Sequence, residues 1–319
     1  MKEYFPKEKF IERIHLLLRD NEDVEKFFEI AKTQSKKAIR VNTLKISDEE
    51  LKKRLEDKGW KISQPFKEHK EIMIVDNKLE PGMLGKSIEH LLGYYYVQEI
   101  TSMMPIIALQ PKADDSFLDL CAAPGSKTTQ AAAIMNNKGT IIANDVSIGR
   151  ISILIANLER IGVANTIVTR HEGEILCRKL QEQEFHFDKI LIDAPCSGEG
   201  NIRCSPRTYL EWSEGLIKSL SKKQKRIVSN AIPILKKGGE LVYSTCTYAP
   251  EENELIIQHL LDNFDLEIVN VKDKIPLIAR PGILEWKGQK FHESMKKAVR
   301  IYHHDNDLEG FFLCKMRKR

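Results

Sequence analysis

The chain has no C-x-x-C pair, no long apolar run and no multi-glycine loop, and each absence removes a class of function. Its six cysteines stand at 121, 177, 196, 204, 246 and 314. Without close pairs they do not form a structural zinc site, and no metal is expected. No stretch approaches the roughly 18 apolar residues that a bilayer span requires. The charged start, from Lys2 onward, lacks the apolar core of a secretory leader. A cytoplasmic protein with no membrane partner is expected, and there thiols stay reduced and available as nucleophiles. Neither G-x-G-x-x-G nor a Walker loop is present: Gly125 stands alone, with Lys127 two residues on. Phosphoryl transfer is therefore disfavoured.

With 319 residues there is room for one large domain or two of ordinary size. A content of 42% hydrophobic and 30% charged residues is that of a globular protein, and the formal charge of +4 permits a polyanionic partner without requiring one. Basic residues cluster at Lys218, Lys222, Lys223, Lys225 and Arg226, and again at Lys315, Arg317, Lys318 and Arg319. Taken alone, these read as a solvated helix face and a frayed tail.

Residues 7–33 carry a helical apolar stripe, with Phe10, Ile11, Ile14, Leu17 and Leu18 repeated by Val24, Phe27, Phe28 and Ala31. A strand near 38–41, a helix capped by Ser47 and a strand near 72–75 complete a small α+β module. We expect that module over residues 1–95 and a second domain over 96–319. From Ser116 the pattern becomes regular. Strands are expected at 117–120, 140–143, 166–169, 189–192 and 240–243, separated by helices at 127–135, 147–161, 174–181 and 219–235. Such alternation predicts an α/β fold with a parallel sheet covered on both faces. Residues 298–302 and 310–315 fit a closing antiparallel pair.

In such a sheet, chemistry collects at the carboxyl ends of the strands. Two thiols arrive there, in Asp193-Ala-Pro-Cys196-Ser-Gly198 and in Ser244-Thr-Cys246-Thr247. The first strand runs into Asp119-Leu-Cys-Ala-Ala-Pro-Gly-Ser-Lys-Thr128, where small residues let the backbone approach a ligand at a helix N-terminus. The second strand ends at Asn144-Asp145, about 20 residues past Gly125, where an acid can accept hydrogen bonds from a ribose diol. Singly, Asp145 would read as a helix N-cap. Together these features indicate a nucleoside cofactor, with dinucleotide and S-adenosylmethionine both open. Free cysteine is commonly a small apolar filler, and Cys177, Cys204 and Cys314 are read so.

These motifs, with RVNTLK at 40–45, QEITSM at 98–103 and RIYHH...GFFLCKMRK near the end, resemble the Fmu/Sun-type RNA cytosine-5 methyltransferases. The likeness runs from about residue 38 to 318. It implies a seven-stranded Rossmann-like methyltransferase sheet with a reversed last hairpin, and S-adenosylmethionine as cofactor. It implies a cofactor loop of Cys121, Ala122, Ala123, Pro124, Gly125, Ser126 and Lys127. Asp145 would bind the ribose, with Arg150, Glu172 and Asp193 as further cofactor contacts. Glu172 departs from the family's usual aspartate, and His303 stands where relatives often have proline. The catalytic set would be Cys246, Cys196, Asp193 and Lys127. Cys246 would be the nucleophile on cytosine carbon 6, Asp193 the N3 partner and Cys196 the residue assisting release. DNA cytosine methyltransferases place the nucleophile in the Pro-Cys motif, which here would be Cys196. The resemblance implies an RNA substrate, tRNA first and ribosomal RNA second, reached as an unpaired or flipped base. Arg40, Asn42 and the basic stretch at 218–226 are candidates for RNA contact. A monomer is expected. A non-catalytic RNA-binding or assembly factor on the same fold is the alternative, and it has no need for the two thiols and Asp193 together.

Overall fold

A computed structural model describes residues 4–80 and 82–319; the charged start at Lys2 lies outside them. The chain divides into two compact units that interleave in sequence. One comprises residues 1–35, 194–229 and 243–319, the other residues 36–193 and 230–242.

The second unit holds four parallel strands in the order Phe187–Asp193, Ser116–Asp119, Thr140–Asp145 and Thr166–Arg170. Leu118 aligns with Ile142 on one side and Ile190 on the other. Phe117, Ile141, Ile190, Leu191 and Ile192 are fully buried, as expected of strands covered on both faces. Each crossover is a helix: Ser126–Ile134, Ile148–Ile161 and Gly173–Glu182. The second of these buries Ile151, Leu154, Leu158 and Ile161, a stripe at helical spacing. Ser147 caps its start and Gly162, at φ +82°, ends it in the left-handed conformation. Because the strands are parallel, Asp119, Asp145 and Asp193 all emerge at the same edge.

The same unit carries a four-stranded antiparallel sheet, in the order Ile62–Ser63, Ile72–Val75, Lys37–Val41 and Tyr95–Val97. Helix Asp48–Glu56 starts where Ser47 accepts from the Glu50 amide, and its Leu51 and Leu55 join Ile39, Trp60, Met73 and Tyr95 in one core. This sheet and helix correspond to the β-α-β part of the expected module.

In the first unit, helices Glu8–Leu18 and Asn21–Ala31 press Phe10 and Phe27 against Tyr209, Trp212, Tyr248 and Tyr302. Sequence spacing groups these helices with the small module, whereas their apolar stripes are buried on aromatic residues far down the chain. The buried His303 ring joins Phe27 to Tyr248. Its Nε2 donates to the Phe27 carbonyl at 2.7 Å, and the Tyr248 hydroxyl donates to Nδ1 at 2.7 Å. Burial pushes this imidazole down to about 3, so it is neutral. A proline in its place could make neither bond.

Strands Val299–Ile301 and Phe311–Lys318 pair antiparallel, as expected. Leu266–Val269 adds to the second of these and Arg280–Pro281 to the first. The eleven-residue strand Leu235–Thr245 contributes residues to both units. The chain end is not frayed: Lys315 is buried in the last strand, and Arg317 and Arg319 lie within 3.6 Å and 3.4 Å of Glu267. Among the described residues no helix is long and apolar enough to cross a membrane.

Candidate active site

The thiols emerge from buried strands. Ile190 to Ile192 and Leu241 to Tyr243 are fully buried; Asp193 then ends the first strand half-buried, while Ser244 and Thr245 end the second still buried, just before Cys246. The Ala194 amide donates to the Ser244 carbonyl at 2.9 Å, which ties the two loops together. Cys196 and Cys246 are both half-buried, with their sulfurs 3.3 Å apart. The turn Glu199–Asn201 closes on the second loop: the Gly200 amide donates to the Cys246 carbonyl at 2.9 Å, and the Asn201 side-chain amide donates to Cys246 Sγ at 3.1 Å.

Two buried carboxylates brace the loops from behind. Glu199 accepts from Trp212 Nε1 at 2.7 Å, and from the Thr247 hydroxyl and the Tyr248 amide at 3.1 Å each. Glu252 accepts from the Ser197 amide at 3.0 Å and Gln224 Nε2 at 2.8 Å. Burial pushes both carboxyls up, Glu252 to about 7. The hydrogen bond with Cys246, and then burial, push the Cys196 thiol well above its ordinary range. The Cys196 thiol therefore keeps its proton, and the two sulfurs share one hydrogen bond in which either can be the donor.

The second unit carries the loop Cys121–Ser126. Its Ala123–Pro124 bond is cis. The Ala122 amide donates to the Asn144 carbonyl at 2.8 Å, fastening this loop to the next strand end. Gly125 has φ +102°, a conformation that favours glycine, and a Cβ there would stand 2.9 Å from the end of the Leu154 side chain. The helix it precedes has no side-chain cap bond at its start, which leaves a helix N-terminus facing the loop.

Asp145 is buried. One oxygen accepts from the Ser147 amide at 3.0 Å, and the other lies 3.0 Å from Arg150 Nη1. Arg150 also donates to the Ala123 carbonyl, linking that loop to the acid. The helix cap is Ser147, so Asp145 is not the N-cap its isolated position suggests. Lys127 Nζ donates to Asp193 Oδ2 at 2.6 Å and to Ser102 Oγ at 2.8 Å, with its side chain only 8% exposed. Asp119 is buried and accepts from the Thr128 hydroxyl at 2.7 Å; burial raises its carboxyl to about 7. Burial also pushes the Cys121 thiol up, which disfavours a nucleophilic role. Glu172 is exposed at the start of Gly173–Glu182 and makes no cap bond.

Several expectations change. Arg40 donates to Gln98, to the Ser126 carbonyl at 2.7 Å and to the Thr129 hydroxyl at 2.8 Å, all while 3% exposed. Asn42 donates to the Gly93 and Ile161 carbonyls at 2.7 Å each and is 2% exposed. Both are internal ties, not RNA contacts. Cys204 is exposed rather than an apolar filler, while Cys177 and Cys314 are buried as expected. Lys218, Lys222, Lys223 and Arg226 are exposed along helix Glu214–Ala231; Lys225 is half-buried. Asn201, Glu199, Glu252 and Ser102 escaped sequence reasoning. Glu199 could have been suspected from its place directly after Cys-Ser-Gly, and Ser102 from its place in QEITSM at 98–103; the other two carry no local signal.

Comparison with known proteins places this arrangement. Residues 106–317 match the family described as 16S rRNA methyltransferase RsmB/F, and residues 6–100 match the N-terminal domain of 16S rRNA methyltransferase RsmF. The chain belongs to this family of S-adenosylmethionine-dependent RNA cytosine-5 methyltransferases. A tRNA (cytosine(49)-C(5))-methyltransferase of Pyrococcus abyssi is 40% identical over 99% of this chain and 98% of its own length. The ribosomal RNA small subunit methyltransferase F of Vibrio parahaemolyticus is 38% identical over 99% of this chain, which spans 63% of the length of that relative. Among solved structures, a methyltransferase homologue from Pyrococcus horikoshii superposes with a TM-score of 0.85 at 36% identity, covering 98% of this chain and 95% of its own. NSun6 from the same organism, solved with SFG, gives 0.84 at 26% identity and covers 98% of each chain.

The residues present fit S-adenosylmethionine. A loop of small side chains leaves backbone exposed beside an uncapped helix N-terminus, and a buried carboxylate stands at the next strand end. Cys121, Ala122, Ala123, Pro124, Gly125, Ser126 and Asp145 would hold the cofactor.

Proposed function

We propose that this chain methylates carbon 5 of cytosine in RNA, tRNA first, with Cys246 as the nucleophile. The thiol pair carries the reading: two sulfurs 3.3 Å apart, sharing a hydrogen bond, on segments tied to one another. A binding protein has no use for such a pair.

Cytosine carbon 5 is too weak a nucleophile to take a methyl group directly. Addition of the Cys246 thiolate to carbon 6 forms an S–C bond and pushes the ring electrons toward carbon 5. Bound S-adenosylmethionine supplies an electrophilic methyl group. Asp193 shares a proton with the ring at N3, where negative charge develops, and Lys127 orients the Asp193 carboxyl for that task. Loss of the carbon-5 proton to a base then restores the double bond and expels the Cys246 sulfur. Cys196, beside that sulfur, assists the release. Arg150 holds Asp145 and the cofactor loop in register, and Glu172 lies exposed where an adenine contact would be made.

The tRNA assignment is supported by the Pyrococcus abyssi relative, matched over 98% of its length. Ribosomal RNA is the second reading, favoured by the Vibrio relatives at 36–39% identity. The exposed cations of helix Glu214–Ala231 suit flanking phosphates of either RNA. Labelled S-adenosylmethionine, offered with separated tRNA and ribosomal RNA, tests the proposal. Label should appear as 5-methylcytosine in tRNA; label confined to ribosomal RNA reverses the substrate order, and none in either rejects the activity.

A further inference from the structure

The turn Glu199–Asn201 grips Cys246 twice. Gly200 binds its carbonyl and Asn201 reaches its sulfur, so successive residues fix both backbone and side chain of one cysteine. Asn201 is itself held: its amide donates to the Gly198 carbonyl at 2.9 Å and its carbonyl accepts from the Ser205 amide at 2.7 Å. Its half-buried side chain is thus delivered to the sulfur by a fixed backbone.

We propose that Asn201 is a positioning residue for the reaction: its side-chain N–H donates to Cys246 Sγ, aims the sulfur and favours its deprotonated form. This inference rests on Cys246 being the nucleophile. A hydrogen bond to a charged acceptor is stronger than one to its neutral form, so an amide donor favours thiolate over thiol. An amide does not titrate, so the donor is present at every working pH. Titratable groups near the sulfur include the Cys196 thiol at 3.3 Å and the carboxyls of Glu199 and Glu252, which bind Thr247, Tyr248 and Ser197 in the flanking segments. When ionised, those carboxyls oppose a negative sulfur, and Asn201 acts against them. The same N–H would receive the thiolate when the methylated base leaves.

Alkylation by iodoacetamide reads this directly, without RNA or cofactor. The Cys246 thiolate forms an S–C bond, the C–I bond breaks and iodide departs. Its rate is followed against pH for Cys246 alone by peptide-resolved mass spectrometry. In Asn201→Ala the midpoint should rise by about one pH unit, which makes alkylation about tenfold slower on the acid side of the profile. Asn201→Asp keeps the shape and adds a carboxylate, so its midpoint should rise further; it also decides the matter if the alanine variant does not fold. The pH profile of kcat should move the same way, with KM for S-adenosylmethionine unchanged. An unmoved alkylation midpoint in folded Asn201 variants overturns the inference, even where kcat falls. Methylation that survives Cys246→Ala instead overturns the nucleophile assignment beneath it.

Discussion

Lys127 places its ammonium 2.6 Å from Asp193 and 2.8 Å from Ser102. A loop residue from the start of one helix thereby orients the acid at the end of a strand 66 residues later. Lys127→Met removes the cation and leaves Asp193 without it. We expect kcat to fall by about 10²-fold and stability by about 1–3 kcal/mol, with KM for RNA little changed. Single-turnover methylation and denaturant titration measure the two effects, and an unchanged kcat contradicts the role given to Lys127.

Gly200 has no room for a side chain. A Cβ there would stand 2.2 Å from the Gly310 carbonyl oxygen and 3.0 Å from that of Cys246. Both neighbours are backbone, so neither can swing away. Gly200→Ala should cost about 2 kcal/mol or more and slow methylation by displacing Cys246. Thermal unfolding and kcat report it; a wild-type melting temperature would show that the turn yields freely.

Glu252 predicts a pH dependence of stability. Burial raises its folded value from the ordinary 4.5 to about 7, so the folded protein holds a proton that the unfolded chain releases. Its contribution is complete below about pH 4.5 and is lost as pH rises through about 7. Glu252→Gln keeps an acceptor for the Ser197 amide but cannot ionise. The variant should gain about 1–3 kcal/mol on wild type at pH 8 relative to pH 5. Parallel melting curves that keep the same gap at both pH values would contradict it.

The cations of helix Glu214–Ala231 predict a salt effect. Replacing Lys218, Lys222, Lys223 and Arg226 by Gln should weaken RNA binding and flatten its salt dependence by roughly 0.7–0.9 per lost phosphate contact. Filter binding across salt concentrations measures the slope. An unchanged slope would remove this helix from the RNA interface.

What was legible in the sequence followed local rules. Phe117, Ile141 and Ile190 lie in short apolar runs separated by helix-length segments, so the parallel sheet and its strand ends could be placed. Cys196 and Cys246 could be found because each follows such a run directly. Arg40 and Asn42 misled, because a polar residue in a short motif looks alike whether it meets RNA or a buried carbonyl. Phe10 and Phe27 gave their helices but not their partners, which lie about 200 residues or more along the chain. Lys315 looked like part of a charged tail, because its burial depends on strand neighbours that only the folded sheet supplies. Asn201 reaches Cys246 through one long-range side-chain hydrogen bond, and nothing in local composition announces it.

The nucleophile assignment is tested most directly by trapping. Variants Cys196→Ala and Cys246→Ala are incubated with RNA and S-adenosylmethionine, then run on denaturing gels. A protein–RNA species that survives denaturation should accumulate with Cys196→Ala and be absent with Cys246→Ala, which should also form no 5-methylcytosine. Accumulation in Cys246→Ala, with none in Cys196→Ala, would exchange the roles of the two thiols and contradict the account.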